Sequence, residues 1–228
     1  MAEGADRMIE KARELVSNRL LWPLVRDFLW DFAPSIHESW IKEALGETST
    51  LQNLQASSRV KRYVLSSLGV EPCFHTFPKE DGSRLLLLDG ATLESVAKWL
   101  GALACADALR RMTAGAAVRE LKKTLPGIYP EVFGYTMYFG SLEAEKKDGG
   151  EGGKFSGLEV EKAGHGILLQ SLSSLSAPLM HRLKLKFPKR LAGTEPPDLK
   201  ASKLPNLQTA IFKLLKLKFP EAYKLCCS

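Results

Sequence analysis

No run of apolar residues in this chain approaches the roughly 20 that a membrane-spanning helix requires, so none of it is expected to cross a bilayer. Cysteine is scarce. Cys73, Cys105 and the adjacent pair Cys226–Cys227 have no metal-ligand spacing and make a poor disulfide framework, and the expectation is reduced thiols in a reducing compartment. The four histidines, His37, His75, His165 and His181, also lack metal-like mutual spacing. Gly149, Gly150, Gly152 and Gly153 fit neither G-x-G-x-x-G nor G-x-x-x-x-G-K-[ST], which excludes a phosphate-cradling loop. The first 20 residues interleave Glu3, Asp6, Arg7, Glu10, Lys11, Arg13 and Glu14 without a continuous apolar stretch, unlike a secretory signal, so a cytoplasmic protein is expected. Cys73 and His75 are two apart, but a reactive thiolate also needs an electropositive site. No residue is assigned to catalysis, cofactor or metal, and the chain reads as non-enzymatic.

What is present is helical pattern. With 228 residues, 45% of them hydrophobic, there is ample material for a core. Residues 85–125 are the packing centre. Leu93, Val96, Ala97, Leu100, Leu103 and Ala104 recur at i, i+3, i+4, i+7; Ala108, Leu109 and Met112 follow, then Ala117, Val118, Leu121 and Leu125. The punctuation predicts several short helices, with Asp89 and Thr113 as N-caps, Gly101 as an interruption and Pro126-Gly127 as the stop. Crowded small residues let backbones approach closely, and Leu100 and Leu121 are read as core.

In chain order, a helix is expected over 5–18, followed by a dense apolar segment over 20–32 that calls for burial. Pro34 fixes a turn into a short helix carrying His37 and Trp40. Helices follow over 44–54 and 57–68, the latter striped by Val60, Tyr63, Val64 and Leu68. Two apolar runs flanking Asp81-Gly82 allow one small β-hairpin near 73–88. The aromatic-rich run 128–139 reads as a helix with Pro130 in its first turn. The fold class is thus all-α, apart from that hairpin. The expected organisation is an N-terminal extension over 1–27, a helical core over 28–142, a flexible Gly- and charge-rich loop over 143–157, and basic C-terminal helices over 158–228 that complete the core.

Charge is unevenly placed. Residues 178–228 hold 11 Lys/Arg against three acids, a net +8, while the remaining 177 residues hold 21 against 23, a net −2. Leu-Lys-Leu-Lys-Phe-Pro occurs at 183–188 and again at 215–220, each time after helical spacing, so both copies read as lysine-rich helix C-terminal turns. Lys184, Lys186, Lys216 and Lys218 in these turns are the candidate partner-binding residues. An alternative reading is a basic helical nucleic-acid binder with a helix-turn-helix around Thr113-Ala114-Gly115. Against it, the following helix offers Arg119, Glu120, Lys122 and Lys123 without the amide side chains of base readout, and the basic tail is interleaved with Leu, not with stacking aromatics.

Phe32-x-Pro34 with His37 and Trp40, Leu100-Gly101 with Leu109-Arg110-Arg111 and 115–121, and Leu214-Leu215-Lys216 followed by a proline and a last helix ending Tyr223-Lys224-Leu225 together resemble the K component of the type III secretion sorting platform, the SctK/YscK-like family. The resemblance covers roughly 32–228. It implies a non-catalytic cytoplasmic adaptor without cofactor, peripheral at the inner membrane. Its implied partners are the forkhead-associated-like cytoplasmic domain of the inner-membrane ring's D component and the C-ring pod component Q; no nucleic acid is expected.

Overall fold

A computed structural model describes residues 18–46, 57–78, 82–112, 115–139, 156–194 and 207–227. The helix expected over 5–18 and the loop over 143–157 lie, but for their last one or two residues, outside the described residues. So do Thr113 and most of the helix expected over 44–54. The described residues form α-helices and short 3-10 turns, and no strand occurs among them. In order the helices are α1 (Leu21–Trp30), α2 (Glu38–Leu45), α3 (Ser58–Ser67), α4 (Gly90–Ala104), α5 (Ala106–Arg111), α6 (Gly115–Thr124), α7 (Ile128–Tyr135), α8 (Gly157–Ser171), α9 (Ala177–Leu185), α10 (Leu207–Lys218) and α11 (Pro220–Cys227). They fall into two compact units, each assembled from separate stretches of chain: Met1–Gly90, Leu175–Ala192 and Glu221–Ser228 form one, Ala91–Ser174 and Gly193–Pro220 the other.

In the first unit, α1 buries Leu21, Val25, Phe28 and Leu29, one helical stripe, and packs on a 3-10 helix at Ser83–Leu87. The rest of the 20–32 segment is not all interior, since Leu20 is 73% and Trp30 58% exposed. The second strand of the expected hairpin is that 3-10 helix. All five of its residues are buried, so no solvent face exists for a period of two to sort, and Gly82 enters it at a positive φ of 71°. Phe77, fully buried at φ 49°, departs from strand geometry as well. Of the α3 stripe, Val64 is interior whereas Tyr63 is 59% exposed.

The polar groups that seal this unit come from α9. Arg182 is only 4% exposed; its guanidinium donates to the carbonyls of Phe28 and Leu29 at the end of α1 and to Glu71 O (2.9 Å), and lies over the rings of Phe28 and Phe32. It thereby satisfies carbonyls that the last turn of α1 leaves without intrahelical donors. Lys186 does the same for the 3-10 helix. Its Nζ donates to Leu86 O (2.6 Å) and Leu88 O (2.7 Å), with 4% exposure.

In the second unit α4 is buried nearly all round and runs on through Gly101, where an interruption was expected. Space is what the glycine supplies. A Cβ there would sit 1.9 Å from Val160 O, and one on Gly164 of α8 would sit 1.7 Å from Ala97 O, so the two helices cross backbone on backbone. The break falls instead at Cys105. α8 opens with a capping box, Ser156 accepting from Glu159 N–H while the Glu159 carboxylate accepts from Ser156 N–H. It then packs on α6 and α10. Leu100 and Leu121 are interior, at 0% and 1% exposure.

Candidate docking surface

The described residues hold no group of three or more His, Cys, Asp or Glu placed to bind a metal. Three of the described histidines bond to backbone: His37 N-caps α2, its Nδ1 accepting from Ser39 N–H (3.1 Å), and His75 Nδ1 accepts from Phe77 N–H (2.9 Å). His181 Nε2 donates to Leu68 O (2.7 Å). Burial pushes the thiols of Cys105 and Cys226 up to about 12, and burial also raises Cys73, so none of these three is poised as a thiolate.

The His37 and Trp40 motif has a packing role. His37 N–H donates to Leu185 O (2.8 Å), Trp40 Nε1 donates to Phe187 O (2.9 Å), and Ser39 Oγ accepts from Lys189 N–H (2.9 Å), so α2 is pinned to the end of α9. Lys189 lies 5.7 Å from the Trp40 ring centroid and pairs with Glu43.

The four candidate lysines do not share one environment. Lys186 must be withdrawn as a partner-binding residue, because its ammonium is spent inside the fold on two carbonyls. Burial pushes its pKa down to about 7, with Asp89 pulling in the opposite direction. Lys184 is half-buried, and both belong to the first unit. Lys216 and Lys218 belong to the second. Lys216 is exposed, whereas Lys218 is half-buried and ion-paired with Glu131.

Lys218 belongs to a built arrangement. Trp99 from α4, Tyr135 from α7 and Tyr138 from the 3-10 turn Thr136–Tyr138 form a string, with ring centroids 5.8 Å apart for the first pair and 6.4 Å for the second. Two lysines of α10 lie against it. Lys218 Nζ is 4.7 Å from the Trp99 centroid and 4.3 Å from that of Tyr135, while Lys213 Nζ is 5.4 Å from Tyr138 and 5.7 Å from Phe139. Burial works against the Lys218 charge, but bonds with Glu131 and Tyr135 outweigh it and hold the ammonium above its ordinary value. Lys213 also donates to Tyr138 O (3.3 Å). On the other side of the turn, Arg110 donates to Thr136 Oγ1 (2.6 Å), stacks over Phe133 at 5.7 Å and pairs with Asp107. Between these cations the turn presents Met137 at 82% and Tyr138 at 56% exposure, with Leu217 of α10 at 47%. Sequence reading named Lys216 and Lys218 as candidates and did not name Lys213, Arg110 or Met137 as such. The available sign was the aromatic density of 128–139, which asks for partners that only the fold can bring.

These features define an all-α protein whose surface offers lysines and arginine braced on aromatic rings. Residues 26–127 match the family model described as YOP proteins translocation protein K (YscK), and over this segment the chain is similar to that component of type III secretion. The matched segment takes in Phe32 to Trp40 and Leu100 to Leu121; the C-terminal motif at 214–225 lies beyond it. No curated protein and no solved structure matches the chain.

Proposed function

We propose that this chain is a non-catalytic adaptor of the type III secretion sorting platform, docking at once to the cytoplasmic domain of the inner-membrane ring's D component and to the C-ring pod component Q. The observation that carries the reading is the family match over 26–127, within which Phe32, His37 and Trp40 build one packed unit and Leu100, Gly101 and Leu121 the other. Work at the cytoplasmic face of the inner membrane is consistent with a further fact: no helix among the described residues is long and apolar enough to cross a membrane. One of the two contacts is partly electrostatic, since Lys213 and Lys216 are exposed on α10 and Lys184 is half exposed. The nucleic-acid alternative gains no support, because Lys186 is interior and Lys218 is ion-paired. A tagged copy expressed in cells that carry the secretion apparatus tests the reading. Ring and pod components should be recovered together; recovery of neither, with nucleic acid bound tightly at physiological salt, would replace it.

A further inference from the structure

On α10, Lys213, Lys216 and Leu217 stand at i, i+3 and i+4 and so share one face. All three are exposed, and the bond from Lys213 to Tyr138 O sets that face beside the turn that presents Met137 and Tyr138. Arg110 is tied to Thr136 on the same turn. The turn thus exposes Met137 and Tyr138 with Lys213 and Arg110 bonded to it, the Lys213 face of α10 adds exposed Lys216 and Leu217, and Lys218 is held on Trp99 and Tyr135. Long cationic side chains normally lose rotamer entropy on binding; here ring contacts and carbonyl bonds already restrict Lys213 and Arg110, which lowers that cost for an incoming carboxylate.

We propose that the face made by Met137, Tyr138, Lys213, Lys216 and Leu217 is a docking surface for a short acidic segment of a protein partner that carries an apolar anchor. The anchor covers Met137 and Tyr138, and its flanking carboxylates meet Lys213, Lys216 and the outer edge of Arg110. Charge complementarity selects this occupant. Among the described residues named here, the cations Arg110, Lys213, Lys216 and Lys218 stand against the acids Asp107 and Glu131, which are already paired with Arg110 and Lys218 respectively. Those acids also argue against a lipid headgroup layer, which rewards an uninterrupted face of one sign. The inference deepens the adaptor reading and rests on it for the partner's being a protein.

Selection of a displayed random-peptide library on the full chain tests it. Enriched sequences should be acidic with at least one large apolar residue. Their binding should weaken roughly tenfold, chiefly in association rate and more at low salt, in Lys213→Glu combined with Lys216→Glu. Met137→Asp should weaken it by a comparable factor, and all these side chains are exposed, so circular dichroism should show the fold retained. Enrichment without acidic bias, or acidic peptides that bind the variants as well as the parent, would overturn the proposal. So would flotation of the parent, lost in the same variants, with phosphatidylglycerol vesicles in the absence of peptide enrichment. If instead the double variant still recovers both ring and pod components at unchanged rates, this surface fails while the adaptor reading stands; if the parent recovers neither although acidic peptides are selected, the reverse holds.

Discussion

At the scale of single residues, the two cations of α9 are the clearest case of side chains acting far from their own helix. Arg182 is held by three backbone carbonyls from two other segments. Its replacement by Met keeps much of the volume but leaves buried acceptors without donors, and should cost about 2–4 kcal/mol in a urea titration. Near-parent stability would mean those carbonyls find other donors. Lys186 yields a pH dependence. Its folded pKa lies near 7 and its ordinary value near 10.5, so between those values the unfolded chain binds a proton that the folded chain does not. Stability should therefore rise from pH 7 upward. The buried thiols act in the other direction above pH 9, because Cys105 and Cys226 stay protonated when folded while the unfolded thiols ionise. A rising melting temperature between pH 7 and 9, flattened in Lys186→Met, is the expected pattern; an equal slope in that variant would assign the dependence to another group. Lys186→Glu should not fold, since it would set an acid against Leu86 O and Leu88 O. None of this was legible beforehand. Lysine at a helix C-terminus is ordinarily explained by its own helix dipole, and the carbonyls Lys186 serves are about 100 residues earlier in the chain.

At the scale of elements, periodicity carried most of what the sequence could say. The stripes through Leu100 and Leu121 are core, both Leu-Lys-Leu-Lys segments close helices, and Pro130 and Pro178 sit in first turns. Misreadings came where a residue's local meaning was overruled by what it touches. Gly101 reads as a helix breaker by propensity, yet its role is to admit the Val160 carbonyl. The leucines of 85–88 read as a strand beside Asp-Gly, yet full burial and the carbonyl bonds from Lys186 suit a 3-10 turn. Two outcomes follow. Gly101→Ala should destabilise by about 3 kcal/mol or more, because the clash is with backbone that has no rotamer to escape into. A parent-like guanidinium midpoint would contradict the close crossing of α4 and α8. Leu100→Asp or Leu121→Asp should abolish cooperative unfolding by placing an unpaired charge at a position at most 1% exposed, and retained solubility with normal melting would remove these faces from the core.

At the scale of the whole molecule, the basic excess of 178–228 is shared between two units and between structural and surface duties. Arg182 and Lys186 are buried, Lys218 is half-buried, and Lys189, Lys213 and Lys216 reach solvent. Composition alone fixed the sign of the charge; which cations remain for a partner depends on contacts that no spacing rule contains. The adaptor reading makes a demand on the intact chain that neither a simple one-partner binder nor a nucleic-acid binder meets, namely simultaneous occupancy. The most direct measurement mixes purified chain with the cytoplasmic domain of the ring's D component and with component Q, and follows mass by light scattering during size-exclusion chromatography. The expected result is one peak containing all three proteins, absent when the chain is left out and weakened, most at low salt, in Lys213→Glu combined with Lys216→Glu. Separate elution of the D domain and Q in the presence of folded chain, or mutual displacement of the two from it, would contradict the bridging role.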